Sequence, residues 1–483
     1  MSEQILLQGK ILGVEEFLLS KAGDAVSPRS GGEELLAGRS QWITLLSEVL
    51  PRALLAELGL ARILLGSSGG GQFLLVLPGE ALEPATEFLT RAAADIGRMS
   101  GGYVKLVWSS TENLGDWSVV RKRMTEALMR RRGTPVTDPA ETFRPFVQTP
   151  AAEYDNYFSK ELGTRLREAT RLGWSPETPG LVLPNEGKHC WNITPNLSPD
   201  GIMLARHAAP SDDGKSAAPV QTLARRAQGR SMWGVLRGDV DSFGVRLRRV
   251  ASIEEHVPLS VLYKQFFAGE LEVLCSMPEF WRKVSILYSG GDDFAVYGSW
   301  DALLQLAREV QRVFHRFTEE NLKDFPGPEG KTISMAVALS PETYYPLSAV
   351  YEQAGRNLDL AKAADKDCIY VLGRVLEWKQ LADAAELKDT VTRLVNEYRL
   401  SRQFLLDLRS FYSRERYGDG EEGRRTWRFQ RRFSRTLAGT RDRDFQKLRA
   451  HLISEIAGRR SAEVKLRPAG LVALEWARLV SEV

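Results

Sequence analysis

The sequence predicts an α+β fold with two ferredoxin-like domains, a loop-rich linker domain and an all-α C-terminal domain. Three observations carry this. Residues 232–373 read as strand, helices, β-hairpin, helix, strand, helix, strand. Two Gly-turn hairpins repeat each other, SSGGGQFLLV at 67–76 beside YSGGDDFAVY at 288–297. From residue 380 onward only helical spacing is found, with Leu387, Val391, Leu394 and Tyr398 on one face.

The elements follow in order. Ile5–Leu7 opens a strand. Ile63–Gly66 and Phe73–Leu77 flank a Gly-rich turn, which is a hairpin signal. Residues 80–98 place Leu82, Ala85, Phe88, Leu89 and Ala92 at helical spacing, Tyr103–Trp108 reads as a strand, and 116–132 as a helix ending in Arg130-Arg131-Arg132-Gly133. Residues 146–228 are punctuated by prolines and read as loop-rich, with 208–220 a mobile surface loop. Trp233–Val240 is a strand, helices are expected at 242–251 and 257–276, and Val284–Tyr288 and Phe294–Tyr297 form the second hairpin. Residues 301–320 form an amphipathic helix, followed by a strand at 332–339, a helix at 347–363 and a strand at 368–372. The expected domains are 1–145, a first palm without catalytic acids; 146–228, a linker; 229–379, a second palm with the Gly-Gly-Asp-Asp turn; and 380–483, helical.

Composition narrows the chemistry. The chain has 483 residues, 43% hydrophobic and 26% charged, within the range of ordinary globular proteins. Its 65 basic and 62 acidic side chains leave a net charge of +3, which excludes a strongly basic or acidic tail-driven protein. Cys190, Cys275 and Cys368 form no C-x-x-C pair, which argues against a disulfide framework or a Cys-ligated zinc site. The five histidines are isolated and none precedes an Asp. Metal chemistry must then rest on carboxylates, which favour magnesium or manganese. No window is apolar enough to span a membrane, and a cytoplasmic protein is expected.

Asp292 and Asp293 place two carboxylates on one tight turn, where their repulsion invites a divalent cation. Gly290 and Gly291 are expected to give the turn positive φ and to let a phosphate come close. Asp in a Gly turn is also ordinary turn chemistry. The second locus, Asp239-Val240-Asp241 at the end of the first strand of the same domain, changes that balance. In a ferredoxin-like sheet this strand end meets the hairpin tip. Asp239, Asp292 and Asp293, with the Val240 carbonyl, then form a candidate site for two metal ions and attack of a hydroxyl on an α-phosphate. Asp241 is left as either a further ligand or a cap for the helix from Ser242. Lys362 and Lys366 are candidates for the nucleotide's phosphates, or simply cations near a helix C-terminus. Ser289 is a candidate for contact with a base, or a turn serine.

Leu236-Arg237-Gly238-Asp239-Val240-Asp241-Ser242-Phe243-Gly244, Tyr288-Ser289-Gly290-Gly291-Asp292-Asp293, and Ala361-Lys362 with Lys366, Gly373 and Trp378 resemble the large polymerase-like subunit of type III CRISPR effector complexes. The YSGGDD form and Gly298-Ser299-Trp300 look like the III-A (Csm-type) branch. Gly13-Val14-Glu15-Glu16-Phe17 is similar to an element of the family's first palm. The resemblance implies two palms, a linker and a helical C-terminus. It implies synthesis of cyclic oligoadenylates from ATP with Mg2+ or Mn2+, triggered by target RNA. The implied partners are guide crRNA, target RNA and other effector subunits. Asp239, Asp292 and Asp293 would be the metal-binding acids, and Lys362 and Lys366 would meet phosphate. The family's His-Asp nuclease pair is absent from this sequence, so no such nuclease activity is expected. In the linker only His189-Cys190 stands where the family often has a zinc site. In the first palm, Lys10 and Gly69-Gly70-Gly71-Gln72 replace acids, so that palm is expected to shape a composite nucleotide pocket rather than bind metal.

Residues 413–449 hold eleven Arg and one Lys against six acids, with Trp427, Phe429, Phe433 and Leu437 interleaved. This stretch is expected to contact RNA phosphates or an acidic partner. Two other functions fit parts of the sequence: a catalytically silent scaffold in the same kind of complex, and a free-standing GGDEF-like dinucleotide cyclase.

Overall fold

A computed structural model describes residues 4–19, 32–133, 153–195, 198, 200–398, 403, 405–406, 408–409, 442–457 and 468–481. Most of the basic stretch, including Trp427, Phe429, Phe433, Leu437 and Arg424 to Arg435, lies outside the described residues.

The first sheet holds β1 (Gln4–Leu12), β2 (Leu65–Gly69), β3 (Gln72–Pro78) and β4 (Lys105–Glu112) in the order β2-β3-β1-β4. With helices α1 (Val14–Leu19), α2 (Gly32–Glu57), α3 (Leu82–Met99) and α4 (Trp117–Gly133), it has the split βαβ arrangement. Alternation along the strands gives the sheet two apolar faces. Leu7, Leu75 and Leu77 pack with α2 and α3, while Leu6 and Leu74 join Trp117, Val120 and Met124 of α4 in the core of the second domain. Helix α2 has no counterpart in the sequence reading. Trp42, Leu45, Leu46, Val49, Leu50, Ala53 and Leu54 are all buried, so this helix is covered on several faces and shows no single apolar stripe.

The linker is more ordered than its prolines suggest. Strands β5 (Arg171–Trp174), β6 (Leu183–Pro184), β7 (His189–Ile193) and β8 (Gly201–Ile202) form a sheet in the order β6-β5-β7-β8. It is sewn to the first domain by Trp42 Nε1 donating to the Gly180 carbonyl (2.8 Å) and the Gly180 N–H donating to Asp95 Oδ2 (2.7 Å). His189 stacks between Trp174 and Trp191 and hydrogen-bonds Glu57. Residues 208–220 form a bridged turn, Pro210 opposite Ala217, with Ala209 and Ala218 fully buried; they are not a detached surface loop. Helix α5 (Val220–Arg225) follows.

The second sheet holds β9 (Trp233–Val240), β10 (Val284–Ser289), β11 (Asp293–Ser299), β12 (Ile333–Leu339), β13 (Cys368–Val371) and β14 (Arg374–Glu377), in the order β10-β11-β9-β12-β13-β14. Its first four strands repeat the order of the first sheet. Between β9 and β10 run α6 (Phe243–Arg249), α7 (Ile253–Gln265), a π turn at Phe266–Glu270, and α8 (Leu271–Ser276). Ser252 caps α7 by accepting from the Glu255 N–H, so this helix starts before the expected 257 despite Pro258. Helix α9 (Trp300–Asn321) buries Leu303, Leu304, Ala307, Val310, Phe314 and Phe317. Helix α10 (Leu347–Ala364) packs on β12 and β9. Helices α11 (Trp378–Asn396), α12 (Arg443–Ala457) and α13 (Pro468–Ser481) extend this core, α13 and α12 lying against α11.

Candidate active site

Register brings the two acidic loci together. Asp239 on β9 is directly opposite Asp293 on β11, so both side chains leave the same sheet face. Asp292 sits at the hairpin tip, where its carbonyl accepts from the Val240 N–H at 2.8 Å. The Val240 backbone therefore lies against the tip. Gly238 opposes Phe294, and a Cβ at Gly238 would run into the Phe294 ring. This close-packed pair lies next to the acids, after Asp293 on β11 and before Asp239 on β9.

Helix α10 brings Lys362 to the same face, where its Nζ pairs with Asp239. Tyr288 donates its hydroxyl to Asp293 Oδ2 at 2.9 Å, and Arg237 lies over the Tyr351 ring at 4.3 Å. Burial, reinforced by Asp293 and Asp239, pushes the Asp292 carboxyl up to about 8. Burial raises Asp293 as well, against the Tyr288 hydrogen bond, and raises Asp239 against Lys362. Were all three acids ionised, they would carry more negative charge than one lysine offsets, and the raised values resist that.

The other predicted residues divide. Ser289 is buried and donates its hydroxyl to the Phe267 carbonyl at 2.6 Å, within the π turn, so that proton holds the hairpin rather than a base. Neither Gly290 nor Gly291 has positive φ, contrary to expectation. A Cβ at Gly290 would instead crowd Asp293 Oδ1 and displace that carboxylate. Asp241 does not cap α6; it accepts from Thr332, Ser334 and the Asp367 N–H. Lys366 Nζ donates to Ser242 Oγ at 2.8 Å. Tyr288 and Arg237 were given no role from sequence. Their signal is strand spacing, because Arg237 stands two residues from Asp239 on one face.

The first domain approaches this site with its own hairpin. A Cβ on Gly70, whose φ is +58°, would lie 2.9 Å from the Gly291 nitrogen, so the two turns touch through backbone. Beside them lies a cavity of about 160 Å³ lined from both domains, including Gln72, Ser68, Lys264, Ser289, Gly291 and Asp292. Its wall contains a buried ion network: Glu48 Oε2 accepts from Lys264 Nζ (2.6 Å), Arg52 Nη1 (2.8 Å) and Ser68 Oγ (2.9 Å). Lys264 comes from the second domain and the other three from the first.

The donor set suits a hard divalent ion: carboxylates, with a backbone carbonyl nearby. The Lys362 ammonium stands in for positive charge at Asp239. Among the described residues no three His, Cys, Asp or Glu side chains already converge at ligand distance. Asp239 and Asp293 are instead turned to Lys362 and Tyr288.

Residues 232–370 match the family model of the Cas10/Cmr2 second palm domain. A subtype III-A Cas10/Csm1 single-strand-specific deoxyribonuclease from Enterococcus italicus is 28% identical over 171 residues, covering 34% of this chain and 21% of that protein. Its Mycobacterium tuberculosis counterpart is 28% identical over 158 residues, covering 29% and 18%. The matches thus span about a fifth of the length of these curated relatives. The structure of Csm1 in T. onnurineus superposes on 99% of this chain and 70% of its own, with a TM-score of 0.72 and 17% identity. A Csm1–Csm4 cassette in complex with cA4 gives a TM-score of 0.69 at 17% identity, over 99% and 70%. At that identity the likeness shows the fold, and it extends beyond the palm to the whole chain.

Proposed function

We propose that this chain is the polymerase-like subunit of an RNA-guided type III-A CRISPR effector complex, and that it makes cyclic oligoadenylates from ATP when target RNA is bound. The observation that carries this is the register of Asp239 against Asp293, with Asp292 at a tip that abuts the first domain's hairpin. The relatives add weight, since solved Csm1–Csm4 cassettes hold AMPPNP, pppApA and cA4. A Csm4-type subunit, guide crRNA and target RNA are the proposed partners.

Asp239, Asp292, Asp293 and the Val240 carbonyl would hold Mg2+ or Mn2+. Bound there, the metal lowers the pKa of the attacking 3′-hydroxyl and neutralises charge on the α-phosphate and leaving pyrophosphate. The residues of the chain prepare for this. Tyr288 holds Asp293 by its hydrogen bond, and Arg237 adds a positive charge nearby. Lys362 leaves Asp239 for phosphate, an exchange between two anions that costs little. Lys366 is placed beside the turn after β9. The cavity beside the touching glycine tips would receive a nucleotide between the two palms. These 483 residues contain no His-Asp pair, and the proposal assigns them nucleotidyl transfer alone. No described helix is long and apolar enough to cross a membrane. A cytoplasmic location is part of the proposal, because the complex would assemble on crRNA and meet target RNA there.

Purified complex incubated with ATP and Mn2+ should yield oligoadenylates by mass spectrometry only when target RNA is present. Product that is absent, or that survives Asp292→Ala with Asp293→Ala, overturns the proposal.

A further inference from the structure

Asp241 is the first residue past β9 and is 3% exposed. Its Oδ1 accepts from Ser334 Oγ at 2.7 Å. Its Oδ2 accepts from Thr332 Oγ1 at 2.8 Å and from the Asp367 N–H at 2.9 Å. The Asp241 N–H donates to the Thr332 carbonyl and its carbonyl accepts from the Gly330 N–H. Both carboxylate oxygens are thus engaged by β12 and by the turn after α10. Asp241 does not line the cavity between the palms.

Around this carboxylate the backbone is strained. Ser242 (φ 58°), Lys366 (φ 59°) and Asp367 (φ 45°) occupy the left-handed region without being glycine. Such conformations persist only where the surroundings over-determine them. Here two strained turns, one after β9 and one after α10, are joined twice. The Asp241 carboxylate holds the Asp367 N–H, and Lys366 Nζ donates to Ser242 Oγ. Lys362, one turn earlier, pairs with Asp239 on the other side of the same segment.

We propose that Asp241 is a positioning residue: its carboxylate pins the 365–367 turn so that the Lys366 ammonium is held over the Ser242 turn, next to Lys362, where the phosphates of an incoming nucleoside triphosphate are received. The phosphate role rests on the nucleotidyl-transfer reading above; the pin itself does not. A metal ligand and a positioning residue respond differently to substitution. Asparagine keeps one acceptor for the Asp367 N–H, and its amide donates to Ser334 or Thr332, whose hydroxyls accept as well as donate. Alanine leaves the N–H with no partner. A metal site loses its charge in both variants.

The test compares Asp241→Ala, Asp241→Asn and Lys366→Met in the assembled complex, with hydrogen exchange on the full chain. Asp241→Ala should raise the KM for ATP roughly tenfold with kcat within about threefold, as expected for a lost charge-assisted contact. Manganese half-saturation should be unchanged, and Asp241→Asn should recover most of the loss. Asp241→Ala combined with Lys366→Met should be no worse than Lys366→Met alone, because both act through one contact. Exchange of the Asp367 amide should quicken at least about tenfold in Asp241→Ala. If Asp241→Ala does not fold, Thr332→Val with Ser334→Ala strips two of the three donors and carries the same exchange measurement. A raised manganese requirement in Asp241→Asn, or damage equal to alanine, makes Asp241 a metal ligand and overturns the proposal. Unchanged exchange at Asp367 removes the pin. If the wild-type complex makes no oligoadenylate while the amide still quickens, the nucleotidyl-transfer reading falls and the pin stands.

Discussion

The two palms of this protein share one cross-strand pair and differ in the pair beside it. In the first sheet Gly9 opposes Phe73 and Lys10 opposes Gln72; in the second, Gly238 opposes Phe294 and Asp239 opposes Asp293. In both, a Cβ on the glycine would meet the phenylalanine ring. The packing that sets register is therefore the same, and only the groups at the tip have changed. Register and chemistry are separable here: a sheet can keep this cross-strand geometry with no carboxylate in the pair.

The largest expected effect sits on that difference. Asp239→Ala should lower oligoadenylate synthesis at least about 1000-fold, as for loss of a metal-ion anchor, while Lys10→Ala at the matching position changes it less than about threefold. Initial rates on the assembled complex measure both; equal losses would erase the distinction between the two palms. Next comes the network that joins them. Glu48→Leu leaves Lys264 and Arg52 buried without their carboxylate and should cost about 3–5 kcal/mol, measured by denaturant unfolding. If Lys264→Met suppresses that loss, the cross-domain pair is its source.

Gly9→Ala and Gly238→Ala probe what the palms share. Each should cost about 1–3 kcal/mol by overpacking against its ring, and the two costs should be similar. A much smaller cost in one palm would mean its Phe can move. The last effect is a pH slope, read by its sign. Asp292 has a folded-state pKa of about 8 against an ordinary 3.8, so the folded metal-free chain holds a proton that the unfolded chain has released. Its contribution is fully present below pH 3.8 and is lost as pH rises towards 8. Urea unfolding in EDTA at pH 5 and pH 8 should show this loss in wild type and a smaller one in Asp292→Asn, where Asp239 and Asp293 still contribute. Mg2+ should oppose it by expelling the proton.

Much of this comparison is legible in the sequence. The repeat SSGGGQF beside YSGGDDF is visible, and strand order follows from the alternation of periods. Opposing Asp239 and Asp293 needed only the expectation that the first strand lies beside the hairpin. What was hidden depends on partners far along the chain. Helix α2 is buried on several sides and so lacks a stripe. Strands β5 to β8 are two to five residues long and pair across prolines, with no local period to mark them. Ser289 is spoken for by Phe267, and Asp241 by Thr332, Ser334 and Asp367, none of which is near in sequence. Spacing identifies an acid; only tertiary hydrogen bonds tell an anchor from a ligand.

The contact between Gly70 and Gly291 has a mechanical meaning. With no side chain on either tip, nothing compliant lies between the two sheets at that point. Backbone meets backbone, and a close-packed interior transmits displacement rather than absorbing it. A tilt imposed on the first sheet from outside would arrive at Asp292 and Asp293 almost undamped. The acid-free hairpin then works as a feeler gauge, setting the gap into which the other hairpin's carboxylates must reach.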